Sequence, residues 1–385
     1  MHDTPIDLPV VVITGASSGI GRATALQFAK RGARLVLAAR DADALETLAH
    51  LCDTYGTRTL AVPTDVTDAE AVARLARTAV EFGGSIDVWV NNAGVGAVGA
   101  FDEVPLAAHE QVIDTDLLGY VRGAHAVLPY FREQGRGVLI NLLSLGSWVG
   151  QPYAASYSAA KFGLRGFTEA LRGELADAPG IHVCDIYPGF VDTPAFRTGA
   201  NYSGHRVSAP VRGLDPRRVA EAIVRVSRRP RPVTPVGTLT HVARMANALV
   251  PGFTLLSGRI TQRVLERQPV AERSDGNLFE TAGGLRQIDG GNRRGGGGHG
   301  VAIAAGLFGV AAVAGAAIWW SRSRPARKGS RGHALPHLDR AQVDKAVHAL
   351  LGAGLVQQVQ RRFAREPRWK RELHALQARL RALAP

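Results

Sequence analysis

Two side chains, Tyr157 and Lys161, carry the clearest chemical signal in this 385-residue chain. Positions four residues apart share one face of a helix, so a phenol and an ammonium can converge on one point. The chain strongly avoids lysine, because only five of its 46 Lys and Arg residues are Lys. Arginine would serve equally well for surface charge, whereas a primary amine differs from a guanidinium in size, donor geometry and pKa. The lysine at this spacing therefore indicates chemistry.

The chemistry that fits is proton transfer by a tyrosine. A free tyrosine has a pKa of about 10, and a neighbouring positive charge brings that pKa toward the range useful for acid–base catalysis. Ser144 follows an apolar run at 137–143 that is typical of a buried parallel strand. Open α/β sheets bind ligands at the carboxyl ends of such strands, so this hydroxyl could hold a substrate carbonyl oxygen. Taken alone, the Tyr157–Lys161 spacing also fits an ordinary exposed helix pair.

A glycine-rich turn near the N-terminus indicates a phosphate site. An apolar, β-branched run at 8–14 leads directly into Gly15-x-x-x-Gly19-x-Gly21, and residues 22–30 have a helical pattern. The start of a helix presents free N–H groups and the positive end of its dipole to an anion. Glycine permits the tight turn and the close approach of a ligand. The sequence therefore predicts a dinucleotide site here.

Together these motifs resemble the classical short-chain dehydrogenase/reductase family over roughly residues 8–235. The other matching segments are Asn-Asn-Ala-Gly at 91–94, Ser144, Tyr-Ser-Ala-Ala-Lys at 157–161 and Pro-Gly-Phe-Val-Asp-Thr at 188–193. The resemblance implies an α/β fold with a Rossmann-like doubly wound parallel sheet, helices on both faces, and hydride transfer with a nicotinamide cofactor. It also implies that Tyr157 is the acid/base, that Ser144 orients the reacting oxygen, and that Lys161 binds the nicotinamide ribose while lowering the tyrosine pKa.

The resemblance also implies which residues bind the cofactor. Thr193 would contact the carboxamide, Asn92 would support the adenosine side, and Asp65 would meet the adenine amino group. Asp65 could instead cap a helix. The expected cofactor-binding residues are Gly15, Ser17, Ser18, Gly19, Ile20, Gly21, Arg40, Asp65, Val66, Asn92, Ala93, Gly94, Tyr157, Lys161, Pro188, Gly189, Val191 and Thr193. No metal site is expected, and Cys52 and Cys184 resemble small core residues.

The end of the second strand favours NADP(H) over NAD(H). An NAD enzyme usually has a carboxylate here for the ribose 2′-hydroxyl, whereas an arginine accommodates a 2′-phosphate. Ala39 takes the acidic position in this chain, and Arg40 follows it. The alternative is that Arg40 is solvated and that Asp41 bonds the ribose.

One position departs from the family pattern. Many members have an asparagine in the helix before the fifth strand, where it supports a water-linked proton relay to the lysine. Asp116 takes that place here. An aspartate can still accept a hydrogen bond, but it adds a negative charge and loses two N–H donors. We expect a relay with altered pH dependence.

Strand-like runs alternate with helical stretches, which predicts a parallel sheet in one nicotinamide-binding domain over residues 1–236. These runs lie at 8–14, 34–39, 58–62, 86–90, 137–143 and 181–187, and the prolines of a last run at 232–236 confine it to an edge. The irregular segment 192–215 is typical of a lid over a substrate site. Residues 237–280 are expected to form a C-terminal helical extension broken at Pro251-Gly252, and residues 281–300 a flexible Gly-rich linker.

The remaining residues differ in character from this domain. Residues 301–320 contain no charge and no proline, and a helix of that length spans a hydrocarbon core of ~30 Å. We therefore expect a transmembrane or membrane-embedded helix, the alternative being a buried soluble helix. The basic, partly helical tail at 321–385 carries 15 Lys and Arg against 4 Asp and Glu, and it could bind anionic lipid headgroups. The rest of the chain has a net charge of only +2, which argues against nucleic acid as a partner.

These features predict a membrane-associated oxidoreductase for a small, lipophilic ketone or secondary alcohol. The N-terminus lacks the basic region of a signal peptide, so the catalytic domain is expected in the cytoplasm. A single crossing would then carry the basic tail outside, against the positive-inside tendency. The sequence is compatible with a homo-oligomer. The alternative function is a membrane-tethered nucleotide-binding scaffold with weak turnover, whose basic tail recruits a partner.

Overall fold

A seven-stranded parallel sheet forms the centre of the computed structural model, which describes residues 8–207, 213–249, 253–281 and 286–291. The strands are β1 (Val10–Thr14), β2 (Arg34–Ala39), β3 (Thr59–Pro63), β4 (Val88–Asn91), β5 (Ala97–Val98), β6 (Gly137–Leu142), β7 (Ile181–Pro188), β8 (Ala200–Asn201) and β9 (Val233–Val236). Across the main sheet their order is β3-β2-β1-β4-β6-β7-β9, while β5 and β8 pair separately. The predicted α/β fold and doubly wound sheet are confirmed.

Helices cover both faces of the sheet. They are α1 (Gly19–Ala29), α2 (Ala42–Asp53), α3 (Ala69–Gly83), α4 (Leu106–Ile113), α5 (Gly119–Gln134), α6 (Ala155–Glu174), α7 (Ala195–Thr198), α8 (Pro216–Arg228), α9 (Thr238–Leu249) and α10 (Phe253–Glu266). Successive side chains of a strand point to opposite faces. Accordingly, Val11 and Ile13 pack with α1, α2 and α8, whereas Val12 packs with α3, α5 and α6. Burial on both faces explains why these strands are apolar throughout.

The strand order places a crevice at the carboxyl ends of β1 and β4. The chain moves outward from β1 through β2 to β3, and then returns to pair β4 on the other side of β1. Ligands of doubly wound sheets bind where the strand order reverses in this way. At the other end of the order, β9 lies at the sheet edge, as its Pro235 predicts, because proline cannot donate to a further strand.

The predictions for the C-terminal region have mixed outcomes. The predicted break at Pro251-Gly252 lies between α9 and α10, and both helical pieces are present. Within the predicted linker 281–300, residues 286–290 instead pack against the α/β domain, where Arg217 and Asp289 form an ion pair. The predicted membrane helix 301–320 and the basic tail 321–385 lie outside the described residues. Within the described part of the chain, every helix is too short or too polar to cross a membrane.

Candidate active site

The glycine turn after β1 has a backbone that only glycine satisfies. Gly15 and Gly19 have φ values of 65° and 54°, in the left-handed region that favours glycine. A Cβ atom on Gly21 would lie 2.1 Å from the Gly15 carbonyl oxygen and 2.6 Å from Asn92 Nδ2. The turn therefore brings the start of α1 directly over the carboxyl end of β1.

Asn92 fixes this turn to the end of β4. Its side-chain Nδ2 donates to the carbonyl oxygens of Thr14 and Gly15, each at 3.0 Å. In return, the Thr14 hydroxyl oxygen accepts from the backbone N–H of Asn92 at 3.0 Å and of Ala93 at 3.2 Å. This part of the crevice is thus held by hydrogen bonds between two neighbouring strand ends.

The crevice encloses a cavity of about 250 Å³. Twelve of the predicted cofactor-binding residues line it: Gly15, Ser17, Ser18, Gly19, Ile20, Arg40, Asp65, Val66, Asn92, Ala93, Gly94 and Thr193. Gly21 supports the turn from behind. Pro188 and Val191 are buried, and Gly189 lies beside Thr240. Tyr157 and Lys161 also lie outside this lining, and the cofactor-binding roles of all these residues stay predictions.

Several lining residues were missed by the sequence analysis. Thr115 precedes Asp116, and Thr198 belongs to the segment predicted as a lid, so both lay close to recognised signals. Asn277 and Thr281 also line the cavity, although they are more than 250 residues from the glycine-rich turn in sequence and lie in no motif. No pattern in the sequence could have placed these two at the nucleotide crevice.

The aspartates that follow β2 and β3 have defined partners. Asp41 is the N-cap of α2 and accepts from the backbone N–H of Ala44 at 2.9 Å, so its carboxylate is engaged by the helix. Asp65 accepts from the backbone N–H of Thr67 at 2.9 Å, while Asp68 caps α3. The helix-cap alternative for Asp65 is therefore wrong, because the next helix uses a different aspartate.

The alternative that Arg40 is merely solvated is wrong, because this half-buried side chain has hydrogen-bond partners. Its guanidinium donates to the carbonyl oxygens of Asn277 at 2.5 Å, Phe279 at 3.0 Å and Leu278 at 3.2 Å. The carbonyl of Glu280 lies at 3.5 Å. The C-terminal extension therefore surrounds the cation with neutral acceptors.

Ser144 and Tyr157 meet at the carboxyl end of β6. Ser144 begins the short helical turn Leu145–Ser147, and its hydroxyl oxygen accepts from the backbone N–H of Gly146 at 3.0 Å. A Cβ atom on Gly146 would lie 3.2 Å from the Tyr157 ring and 3.4 Å from Ser144 Oγ, which places both side chains around this glycine. The partly buried Tyr157 ring also packs against an apolar cluster that includes Val104 and Val112.

Lys161 lies behind the tyrosine and is almost completely buried. Its ammonium lies 3.1 Å from Asp116 Oδ2, 3.2 Å from the carbonyl oxygen of Leu142 and 3.4 Å from the Tyr120 hydroxyl. It also lies 5.7 Å from the centre of the Tyr157 ring. The alternative that Tyr157 and Lys161 form an ordinary exposed helix pair is therefore wrong.

Asp116 reaches this lysine from a π-helical turn, Asp114–Leu118, between α4 and α5. Such turns are frequent at functional sites. Its Oδ1 atom accepts from the backbone N–H of Val95 at 2.7 Å, and its side chain is only 1% exposed. The expected hydrogen-bond acceptor is present, and its negative charge forms a buried ion pair with Lys161.

Burial and these charges set opposing shifts in pKa. Burial raises the pKa of Asp116, while the Lys161 charge and the hydrogen bond from Val95 lower it. Burial also raises the pKa of Tyr157 above its ordinary value; Lys161 lowers it, Asp116 raises it, and a hydrogen bond with Ser144 lowers it. The sequence predicts only the lowering of the Tyr157 pKa by Lys161, because it does not show that the ring is buried.

Comparison with known proteins identifies the family. The model of the family described as short chain dehydrogenase matches residues 9–201. The chain belongs to this family. The uncharacterized oxidoreductase YxnA of Bacillus subtilis (strain 168) is 36% identical over 278 residues, covering 71% of this chain and 77% of that protein.

Solved structures of the family share the fold and carry either nicotinamide dinucleotide. An alcohol dehydrogenase from the archaeon Thermococcus sibiricus, complexed with 5-hydroxy-NADP, is 29% identical and covers 60% of this chain and 95% of that chain, with a TM-score of 0.52. A short chain dehydrogenase/reductase from Burkholderia phymatum, in complex with NAD, is 27% identical and covers 70% and 98%, with a TM-score of 0.56. The family thus supports an oxidoreductase that acts on CH–OH or C=O groups.

The residues of this chain fit a nicotinamide dinucleotide. A Cβ atom on Gly15 would lie 2.7 Å from the Ala93 backbone, so glycine here lets the turn pack directly against the segment after β4. The side chain of Ser18, the N-cap of α1, forms no capping hydrogen bond, which leaves the helix N-terminus to other acceptors. The turn, the end of β4 and Thr193 would hold the dinucleotide along the crevice.

Proposed function

We propose that this chain is an NADP(H)-dependent oxidoreductase that interconverts a ketone and a secondary alcohol, with Tyr157 as its acid/base. The observation that carries the proposal is the convergence of three side chains beside the nucleotide crevice. Ser144 and Tyr157 flank Gly146, and the buried Lys161 lies 5.7 Å from the tyrosine ring.

In the reductive direction, a bound nicotinamide supplies the hydride for the carbonyl carbon. Ser144 positions the substrate oxygen: because its own oxygen accepts from Gly146, its O–H remains able to donate. Tyr157 gives its phenolic proton to that oxygen, which yields the alcohol. The positive charge of Lys161 then stabilises the phenolate that remains. Alcohol oxidation reverses each step, with the phenolate as base.

The preference for NADP(H) rests on the end of β2. Ala39 offers no carboxylate to a ribose 2′-hydroxyl, and the Asp41 carboxylate is engaged as the cap of α2. Arg40 supplies a cation beside the same crevice, and it is held there by neutral carbonyl oxygens. Hydrogen bonds between an ionised donor and an ionised acceptor are stronger than neutral ones, so a phosphate would compete well for this guanidinium.

The proposed substrate is a small lipophilic carbonyl compound or alcohol. The Tyr157 ring and Val95 both pack against an apolar cluster that contains Ala97, Val104 and Tyr202. An apolar wall favours substrates that bury hydrocarbon next to the reacting carbon.

Tyr157→Phe tests the mechanism, because it removes the proton donor and keeps the ring. With NADPH and a panel of aliphatic, alicyclic and aryl ketones, we expect the rate of NADPH oxidation to fall by about 10²- to 10⁴-fold. Tyr153→Phe, four residues away on the same approach to α6, is the matched control and should leave the rate unchanged. A Tyr157→Phe enzyme with the wild-type rate would refute the assignment.

A further inference from the structure

Two described parts of the C-terminal extension return to the nucleotide crevice and bond residues at its sides. We call the described residues 277–281 and 286–290 the strap. At one end of the crevice its carbonyl oxygens surround Arg40, three of them at 2.5–3.2 Å. At the start of α1 the carbonyl oxygen of Gln287 accepts from the backbone N–H of Gly19 at 2.9 Å. The strap thus bonds both a cation and a helix N-terminus that face the cavity.

Both ends of the strap are fastened to the segment after β7. The backbone N–H of Asn277 donates to the Thr198 carbonyl at 2.7 Å, and that of Gly290 donates to the Asp192 carbonyl at 3.0 Å. A Cβ atom on Gly290 would lie 2.3 Å from the carbonyl oxygen of Thr193, so this end fits closely against the crevice. These contacts hold the strap against the β7 side.

Side chains fasten the strap on two sides of the crevice. Arg217 of α8 and Asp289 form a two-pronged ion pair with N–O distances of 2.8 and 2.9 Å. On the opposite side, Arg286 donates to Thr47 of α2 at 3.1 Å and lies 3.4 Å from Asp43. The strap is therefore held to α2 at one side and to α8 at the other.

The positions that the strap bonds are those that anionic groups of a dinucleotide would use. A helix N-terminus attracts phosphate, and an arginine binds phosphate better than it binds a neutral carbonyl. With the strap in place, the cavity of about 250 Å³ is smaller than the ~300–1,000 Å³ of typical ligand sites. The strap backbone thus supplies the acceptors that a bound dinucleotide would otherwise supply.

We propose that the strap is an autoinhibitory closure of the nucleotide crevice. Nucleotide binds only when the strap leaves Gly19 and Arg40. The apparent Kd is therefore the Kd of the open state divided by the fraction of molecules that are open. This inference rests on the proposed nucleotide-dependent function. It separates from that function by a clear consequence: weakening an anchor outside the crevice tightens nucleotide binding.

The Arg217–Asp289 pair is the anchor to weaken, because neither residue lines the cavity. In the full-length protein, Asp289→Asn and Arg217→Gln should each lower the Kd for NADPH about two- to five-fold, the range for a half-exposed ion pair. The Kd for NADH should fall by the same factor, since both nucleotides require the same opening. Arg273, on the same C-terminal extension, supplies the matched control. Arg273→Gln breaks its exposed ion pair with Glu103 and should change neither Kd.

Amide hydrogen exchange of the full chain reports the motion itself. Saturating NADPH should accelerate exchange at the backbone N–H of Gly290, because the strap leaves its anchor. Slower exchange there would overturn the proposal, since it would make the strap a clamp over bound nucleotide. Unchanged or weaker NADPH binding in both anchor variants would also overturn the strap proposal while leaving the proposed function intact. A cooperative thermal unfolding transition shows that each variant is folded. If neither nucleotide binds to any of these proteins, the proposed function fails, and the strap proposal with it.

Discussion

Replacing Asp116 by asparagine is the sharpest test of how this site controls its tyrosine. The substitution keeps the shape and an oxygen that can accept from Val95, and it removes the negative charge beside Lys161. That charge raises the pKa of Tyr157, so its removal favours the phenolate. The pH at which Tyr157 titrates should therefore fall.

The size of the effect follows from distances in the site. The Lys161 ammonium lies 3.1 Å from the Asp116 carboxylate and 5.7 Å from the centre of the Tyr157 ring, so the carboxylate lies within about 9 Å of that ring centre. At that distance two unit charges interact by about 2 kcal/mol when the effective dielectric constant is about 20. Because 1.36 kcal/mol is a tenfold change, the phenolate fraction at a fixed pH below the titration should rise by roughly tenfold or more.

The assay is alcohol oxidation with saturating NADP+ across the neutral and alkaline range. The phenolate is the base in this direction, so the rate rises with pH through the tyrosine titration, and Asp116→Asn should move that rise to lower pH. In ketone reduction the protonated tyrosine is needed, so the alkaline loss of activity should move to lower pH as well. The pH profiles of oxidation and of reduction should thus both move to lower pH, which a simple loss of folded enzyme could not produce.

Asp114→Asn is the matched control for this prediction. Asp114 lies on the same π-helical turn, but it pairs with Arg122 at 2.7 Å and is about one-third exposed. Its replacement should leave the pH profile in place. A profile for Asp116→Asn that stays with the wild type, or moves to higher pH, would refute the electrostatic reasoning.

Three further substitutions test the crevice and the predicted membrane helix. Arg40→Ala should lower the affinity for NADPH relative to NADH by about ten- to a hundredfold, because hydrogen bonds to charged groups contribute ~1.5–3 kcal/mol; an unchanged ratio of the two Kd values would remove the phosphate assignment. Gly21→Ala should lower the free energy of unfolding by at least ~1–3 kcal/mol and abolish most nucleotide binding, since its Cβ would lie 2.1 Å from a backbone oxygen. The control is Gly173→Ala on an open face of α6, which should be neutral or stabilising in the same thermal unfolding assay. The 385-residue protein should float with anionic lipid vesicles. Val310→Asp, at the centre of the predicted membrane helix, should reduce flotation, because inserting Asp at the centre of a membrane helix costs ~2.5–3.5 kcal/mol. Equal flotation of both proteins would contradict the membrane prediction.

The sheet could be predicted from the sequence because its signals are local. The buried strands are continuous apolar runs, and the predicted bounds of 34–39 and 181–187 differ from those of β2 and β7 by at most one residue. Pro235 placed the last strand at an edge by removing one donor. The glycine turn and the crevice followed from the same local rules, together with the likeness to the family.

The strap and the buried ion pair could not be predicted in this way. Asp116 and Lys161 are 45 residues apart, and only packing of the π-helical turn against α6 brings them together. The strap bonds Gly19 and Arg40 through backbone carbonyl oxygens, which every residue carries, so no residue type marks it. Its glycines resemble a linker in sequence, although Gly290 is required by close packing.

The geometry around Lys161 explains why a chain that otherwise prefers arginine has lysine here. An ammonium has three N–H donors, and Asp116, Leu142 and Tyr120 supply three acceptors at 3.1, 3.2 and 3.4 Å. A planar guanidinium with five donors could not satisfy its hydrogen bonds in a position that is only 4% exposed. It follows that a nicotinamide ribose can bond this ammonium only by replacing one of the three acceptors. Tyr120 is the one that yields most easily, because its contact is the longest and its own O–H already donates to Leu142 at 3.1 Å.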